Sequence, residues 1–124
     1  MARVLVAAQL PAGAYPALPP GANSRDVTFQ VCDSGLGNYT PIVENKTLIL
    51  IQNVAVGAKT VTFTSVVDDK NRTGDITAYS VGASEIAMFG PFKAAGWSHG
   101  IGAGNGIWID GEDANIKIAV ITLP

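Results

Sequence analysis

The chain has 124 residues, 48 % of them hydrophobic and only 15 % charged, a balance that excludes a disordered polypeptide and allows one core but not two. Eight Lys and Arg against ten Asp and Glu give a net charge of −2 with no basic block, so the electrostatic footprint of a nucleic-acid binder is missing. Fourteen glycines and seven prolines cut the chain into short pieces, and at this length folding needs neither a disulfide nor a metal.

Residues 3–9, Arg-Val-Leu-Val-Ala-Ala-Gln, read as a short strand. Pro11, Pro16, Pro19 and Pro20 with Gly13 and Gly21 then forbid regular structure. Residues 1–22 are therefore expected to form a strand and an extended Pro-rich arm ahead of a domain over 23–124. The apolar run at 4–8 is cut by Gln9, too short for a membrane span or a secretory segment, so neither is expected. A second strand is predicted over 27–31, with Val27, Phe29 and Val31 on one face, ended by turn signals at Asp33-Ser34-Gly35 and Gly37-Asn38. Cys32 is the single cysteine and has no internal disulfide partner. It suits a chain assembled in a reducing cytoplasm and reads as a small buried hydrophobe.

Residues 47–53, Thr-Leu-Ile-Leu-Ile-Gln-Asn, lack polar alternation, as expected of a strand covered on both faces or central in a sheet. Residues 60–66 alternate cleanly, Val61 and Phe63 on one face and Thr60, Thr62 and Thr64 on the other, which marks a half-exposed strand. The charged stretch 68–75 reads as an exposed loop, followed by strands over 76–81 and 85–89. A helical turn is conceivable over 83–89, but Gly90 and Pro91 follow too closely for a stable helix, and strand is preferred. Five glycines between 96 and 106 make a flexible stretch around Trp97 and His99. Strands over 107–110 and 116–123 end the chain, the last with Ile116, Ile118 and Val120 on one face. Eight short β-segments without a long amphipathic helix predict an all-β fold, a single small β-sandwich or jelly-roll-like barrel with an extended N-terminal arm.

Catalytic chemistry has little material here. Ser98, His99 and Asp110 or Asp113 are the residue types of a serine triad, but no strand-turn-helix context surrounds Ser98, and His99 reads as a solvated loop residue. The glycines at 100, 102, 104 and 106 match neither phosphate-loop nor dinucleotide spacing. Asp110-Gly111-Glu112-Asp113 lacks the calcium-loop pattern and reads as a hairpin turn with Gly111 at a strained position. The expectation is a protein with no catalytic residues, cofactor or metal. Trp97 and Trp108, with Tyr79 and Phe92, are aromatic candidates for a sugar platform, weighed against plain core or interface anchors.

The order of these pieces resembles the decoration, or cement, and minor capsid proteins of tailed-bacteriophage heads. The resemblance runs from Met1-Ala2-Arg3-Val4-Leu5 and the arm, through Asn45-Lys46-Thr47-Leu48-Ile49-Leu50-Ile51-Gln52-Asn53 and Thr60-Val61-Thr62-Phe63. It continues with Val81-Gly82-Ala83-Ser84-Glu85 leading to Phe89-Gly90-Pro91-Phe92, and closes on Ile116-Lys117-Ile118-Ala119-Val120-Ile121. Gly90-Pro91-Phe92 is its most telling piece; Pro91 excludes helix at Gly90, so Phe89 and Phe92 are expected on opposite sides of a chain reversal. The resemblance implies a non-enzymatic virion protein on the phage head exterior, assembled in the host cytoplasm. Its implied partners are the major capsid protein and copies of itself, most simply a trimer, with no nucleic acid and no membrane. Val4, Leu5, Leu10, Tyr15, Leu18 and Trp97 are the expected contact residues. The alternative is a carbohydrate-binding β-sandwich module, on a virion or a secreted protein, that uses Trp97 or Trp108.

Overall fold

A computed structural model of the chain describes residues 3–11, 25–68, 70–100 and 105–124. Among them every regular element is a strand: β1 (Val4–Leu5), β2 (Ala8–Gln9), β3 (Gln30–Val31), β4 (Asn38–Thr40), β5 (Thr47–Asn53), β6 (Lys59–Phe63), β7 (Ile76–Val81), β8 (Ile86–Phe92), β9 (Ile107–Gly111) and β10 (Ile116–Thr122). One sheet has the order β1-β4-β9-β6-β7. The other runs β2-β10-β5-β8, with β3 also paired to β10. The two mixed five-stranded sheets pack together as a small β-sandwich, in line with the all-β expectation.

The core follows from period-two patterning. Strand β5 pairs with β10 over seven residues and with β8 on its other side. Its odd positions, Thr47, Ile49, Ile51 and Asn53, are buried, and its even positions are half-buried. The continuous apolar run thus marks a central strand. In β10, Ile116, Ile118 and Val120 are fully buried, as are Val61 and Phe63 of β6 and Ile107 and Ile109 of β9. Burying each of these side chains contributes about 2 kcal/mol.

Several expectations need correction, three of them in the strands. The strand foreseen over 27–31 shrinks to Gln30–Val31, and Val27 and Val31 point outward, 47 % and 48 % exposed. Only Phe29 of that face is half-buried, because the pairing of Gln30 with Ile118 and of Val31 with Lys117 puts Val31 on the outer face of β10. Gly37-Asn38 reads as a turn signal, yet Asn38 opens strand β4, in which Asn38 and Thr40 are fully buried between β1 and β9. The third concerns Gly90-Pro91. No chain reversal occurs; the element stays in β8, where Ile49 faces Phe89 and Thr47 faces Phe92, so three steps on β8 match two on β5. The extra residue is a bulge, and it reverses the alternation beyond it. Phe89 and Phe92 therefore share the inner face, their rings 4.8 and 5.9 Å from Phe63. Gly90 has φ of 109°, and a Cβ there would lie 2.6 Å from the Thr47 carbonyl, so the bulge needs glycine.

The stretch at 110–113 is not a hairpin turn either. It carries the chain from β9 in one sheet to β10 in the other. Gly111 has no positive φ; its need is space, because a Cβ would meet Cys32 Sγ at 2.6 Å and Ile116 at 2.9 Å. Cys32 itself is 5 % exposed, the small buried hydrophobe anticipated. Burial first, and then the nearby Asp113 carboxylate, push its thiol above the ordinary range.

One polar atom in this core is unsatisfied. The Thr40 hydroxyl is buried with no hydrogen-bond partner among the described residues. Thr40→Val keeps the shape and removes the stranded dipole, so a gain of about 1 kcal/mol is expected. That corresponds to a Tm higher by roughly 4 °C, read by a calorimetric melt.

Candidate functional site

The first residues are stitched into both sheets. β1 runs parallel to β4, with Val4 N–H on the Gly37 carbonyl and Val6 N–H on the Tyr39 carbonyl, each at 3.0 Å. β2 then runs parallel to β10 in the opposite sheet. Between them Val6, 2 % exposed, enters the core. Arg3 fixes the start: Nη1 donates to Asp110 Oδ1 at 2.8 Å and to the Asn38 carbonyl at 3.2 Å.

A second row of contacts joins this segment to residues 25–30. The Gln9 side chain donates to the Thr28 carbonyl at 2.6 Å and accepts from Thr28 N–H at 2.8 Å. Gln30 Nε2 donates to the Leu5 carbonyl, and Arg25 to the Leu10 carbonyl. The backbones tied in this way carry Leu5, Leu10, Val27 and Val31, between 47 % and 63 % exposed, with Leu5, opposite Tyr39, on the outer face of one sheet and Val31, opposite Lys117, on the outer face of the other. Scattered apolar residues are ordinary on a surface; what marks a candidate contact area is the ordered edge that residues 5–10 and 25–31 form across both sheets. Of the expected contact residues, Leu5 and Leu10 are exposed on this edge and Val4 is half-buried in β1. Tyr15 and Leu18 fall outside the described residues.

The aromatic candidates separate. Trp97 packs on the core with its ring edge toward Phe92, centroids 5.3 Å apart. It lines an open groove of about 240 Å³ with Ser65, Asp68, Arg72 and Thr73. The groove's polar groups are engaged with one another: Asp68 accepts from Arg72 Nε at 3.0 Å, and Ser65 Oγ donates to Asp75 at 2.8 Å. Trp108 has the His99 ring stacked on it at 3.7 Å, 5° from parallel, and the Arg3 guanidinium 4.1 Å from its centroid. His99 arrives from the side of Gly106, with which it forms a bridge, and Arg3 from the side of Asp110. Because residues 106, 108 and 110 share one face of the strand, the indole is packed between them. Trp108 therefore offers no open face on which a sugar ring could stack. Arg3 lies 96 positions from His99 and 105 from Trp108, and no local signal in the sequence announces that the three meet.

His99 is thus not a solvated loop residue. It is half-buried, and its Nε2 lies 2.9 Å from the Thr64 carbonyl oxygen. The acids of the hypothetical triad are engaged elsewhere, Asp110 by Arg3 and Asp113 by the Lys59 ammonium at 2.8 Å. The structure does not bring Ser98, His99 and an acid into one hydrogen-bonded chain. Among the described residues no group of three His, Cys, Asp or Glu is arranged to hold a metal ion.

The exposed loops carry the titration behaviour. The Arg72 amide holds the Asp68 carboxyl below its ordinary value, the Ser65 hydroxyl does so for Asp75, and the Lys59 ammonium for Asp113. A carboxyl depressed in the folded state stabilises the fold above its unfolded value, and that contribution disappears as pH falls through the folded value. Thermal melts are expected to be flat from neutral pH to about 5 and to decline as the pH drops below 3.8, the ordinary value of these groups. A Tm that rose on acidification would contradict these contacts.

No family model matches the chain, and neither the curated proteins nor the solved structures searched contain a match.

Proposed function

We propose that this chain is a structural virion protein that binds the outside of an icosahedral phage capsid in many copies and stabilises the shell through protein contacts. The reading rests on the resemblance in the order of segments from residue 1 to 124. The observation that carries it further is the flank formed by residues 5–10 and 25–31. There Leu5, Leu10, Val27 and Val31 project from backbone that is held by the Gln9–Thr28 pair. Rigid backbone under exposed apolar side chains lowers the ordering cost of docking. A nearly neutral surface suits a subunit packed among others on a lattice, where single weak contacts add through multivalency.

The direct test is to add the purified chain to phage heads that lack it and to reconstruct the particles by cryo-electron microscopy. Sandwich-sized density at regular outer positions, with residues 5–10 and 25–31 turned to the shell, is the expected result. A chain that fails to co-sediment with heads, or that is found inside them, overturns the reading.

A further inference from the structure

Residues 3–11 hold to the rest of the chain in a way that no other described segment does. They supply the two parallel pairings among the described strands, β1 on β4 and β2 on β10, each two residues long. Every other pairing is antiparallel. Antiparallel neighbours can be joined by a tight turn, whereas a parallel strand arrives from a distance. Of the side chains in this segment only Val6 is buried. Beside it, Val6, Ala7, Gln9, Thr28, Gln30 and Ile118 line a gap of about 190 Å³ between the segment and its neighbours. Short ladders over an unfilled gap open at far lower cost than the sandwich around them.

We propose that two copies of this chain exchange residues 3–11, each segment lying in the other copy's seat, with residues 12–24 as the crossing. The seat is specific for this sequence: Asp110 and Trp108 take Arg3, the core takes Val6, and both backbone groups of Thr28 take the Gln9 side chain. A second copy carries the same residues, so exchange remakes every one of these contacts. The choice between a chain's own segment and its neighbour's therefore falls to the crossing. In the closed arrangement the chain must come back to the point it left, because Gln9 is bonded to Thr28, and the Leu10 carbonyl accepts from Arg25 Nη1 at 3.5 Å. Pro16, Pro19 and Pro20 fall among the thirteen residues between, and proline favours an extended course over a return. At about 3.1 Å per residue that crossing spans roughly 40 Å, more than the roughly 35 Å width of a domain of this length, so a neighbour's seat is within reach. Reciprocal exchange fills both seats and closes as a two-fold pair, in contrast to the three-fold assembly implied by the resemblance. The inference is independent of the virion reading.

A full chain carrying Leu5→Cys and Tyr39→Cys tests it, since these positions face one another between β1 and β4. The chain is incubated to equilibrium over a wide concentration series and mildly oxidised. A non-reducing gel is expected to show a disulfide-linked pair at twice 12.8 kDa, well above the level given by Leu5→Cys alone, with a share that rises with the concentration of incubation. Sedimentation velocity on the unaltered chain should show the same two-chain mass. Pro16→Gly, Pro19→Gly and Pro20→Gly together should weaken pairing by roughly tenfold while the circular dichroism spectrum stays that of the folded chain. A two-chain mass in which the cysteines link only within each chain would show a dimer formed by another surface and overturns the proposal. So does a single-chain or three-chain mass at every concentration, or a two-chain mass that the glycine variants leave unchanged.

Discussion

A chain that begins at residue 12 is expected to melt roughly 15 °C below the full-length protein, a loss of about 4 kcal/mol. Removing residues 1–11 takes away the burial of Val6, worth about 2 kcal/mol, and opens a hole where that side chain enters the core. It also removes the partners of Gly37, Tyr39 and β10, leaving strand edges in both sheets bare. The Arg3 contacts to Asp110, the Asn38 carbonyl and Trp108 disappear as well. The paired change Tyr15→Ser with Leu18→Ser is expected to behave oppositely. The virion reading assigns both side chains to the capsid, so the melt should move by about 2 °C at most while binding to heads weakens. Differential scanning calorimetry and head co-sedimentation on the same two variants separate the roles. A truncated chain that melts like the full one would mean that residues 3–9 are not part of the fold.

What the sequence revealed and what it hid divide along a physical line. Strand β5 was legible because seven residues of one type of patterning are long enough to fix both element and position. The burial of alternate residues in β6 and β10 was legible for the same reason. Strand β4 was hidden because it is only three residues long and opens on Asn38, a poor strand former, directly after Gly37. Asn38 is held there by distant groups, its Oδ1 accepting from Asp33 N–H at 2.7 Å and its Nδ2 donating to the Val4 carbonyl at 3.2 Å. Gly90-Pro91 was recognised as punctuation but misread as a reversal. A bulge and a turn use the same residue types, and only the register against Thr47 and Ile49 tells them apart. Of the candidate contact surface, Leu5 and Leu10 were named in advance. Val27 and Val31 were placed with Phe29 on a shared face, and period-two spacing does not say which way such a face points.

Asn53→Leu, which keeps the branching and heavy-atom count of the side chain, is expected to cost at least about 3 kcal/mol, a Tm lower by ten degrees or more. Asn53 is fully buried at the end of β5. Its Nδ2 donates to the carbonyls of Gly57 at 2.9 Å, Val81 at 3.0 Å and Gly82 at 3.3 Å, and its Oδ1 accepts from Ala55 N–H at 2.9 Å. One side chain thus closes the β5–β6 turn and ties it to the end of β7 in the opposite sheet. Leucine would remove both the donor that these three carbonyls share and the acceptor of Ala55 N–H, and a stranded buried polar group costs more than a hydrogen bond returns when made. Asn53→Asp tests the same point through pH. Its Oδ1 can still accept from Ala55, but the second oxygen faces three carbonyls, so the folded chain raises that carboxyl's affinity for a proton. A group whose folded value is raised destabilises the ionised form. The Asn53→Asp chain should therefore regain stability relative to the parent as the pH falls through that raised value, when the protonated acid donates to one carbonyl again. Paired melts of parent and variant between pH 7 and 4.5 measure the difference. A gap that stays constant over this range would show that the Asn53 amide does not hold these carbonyls together.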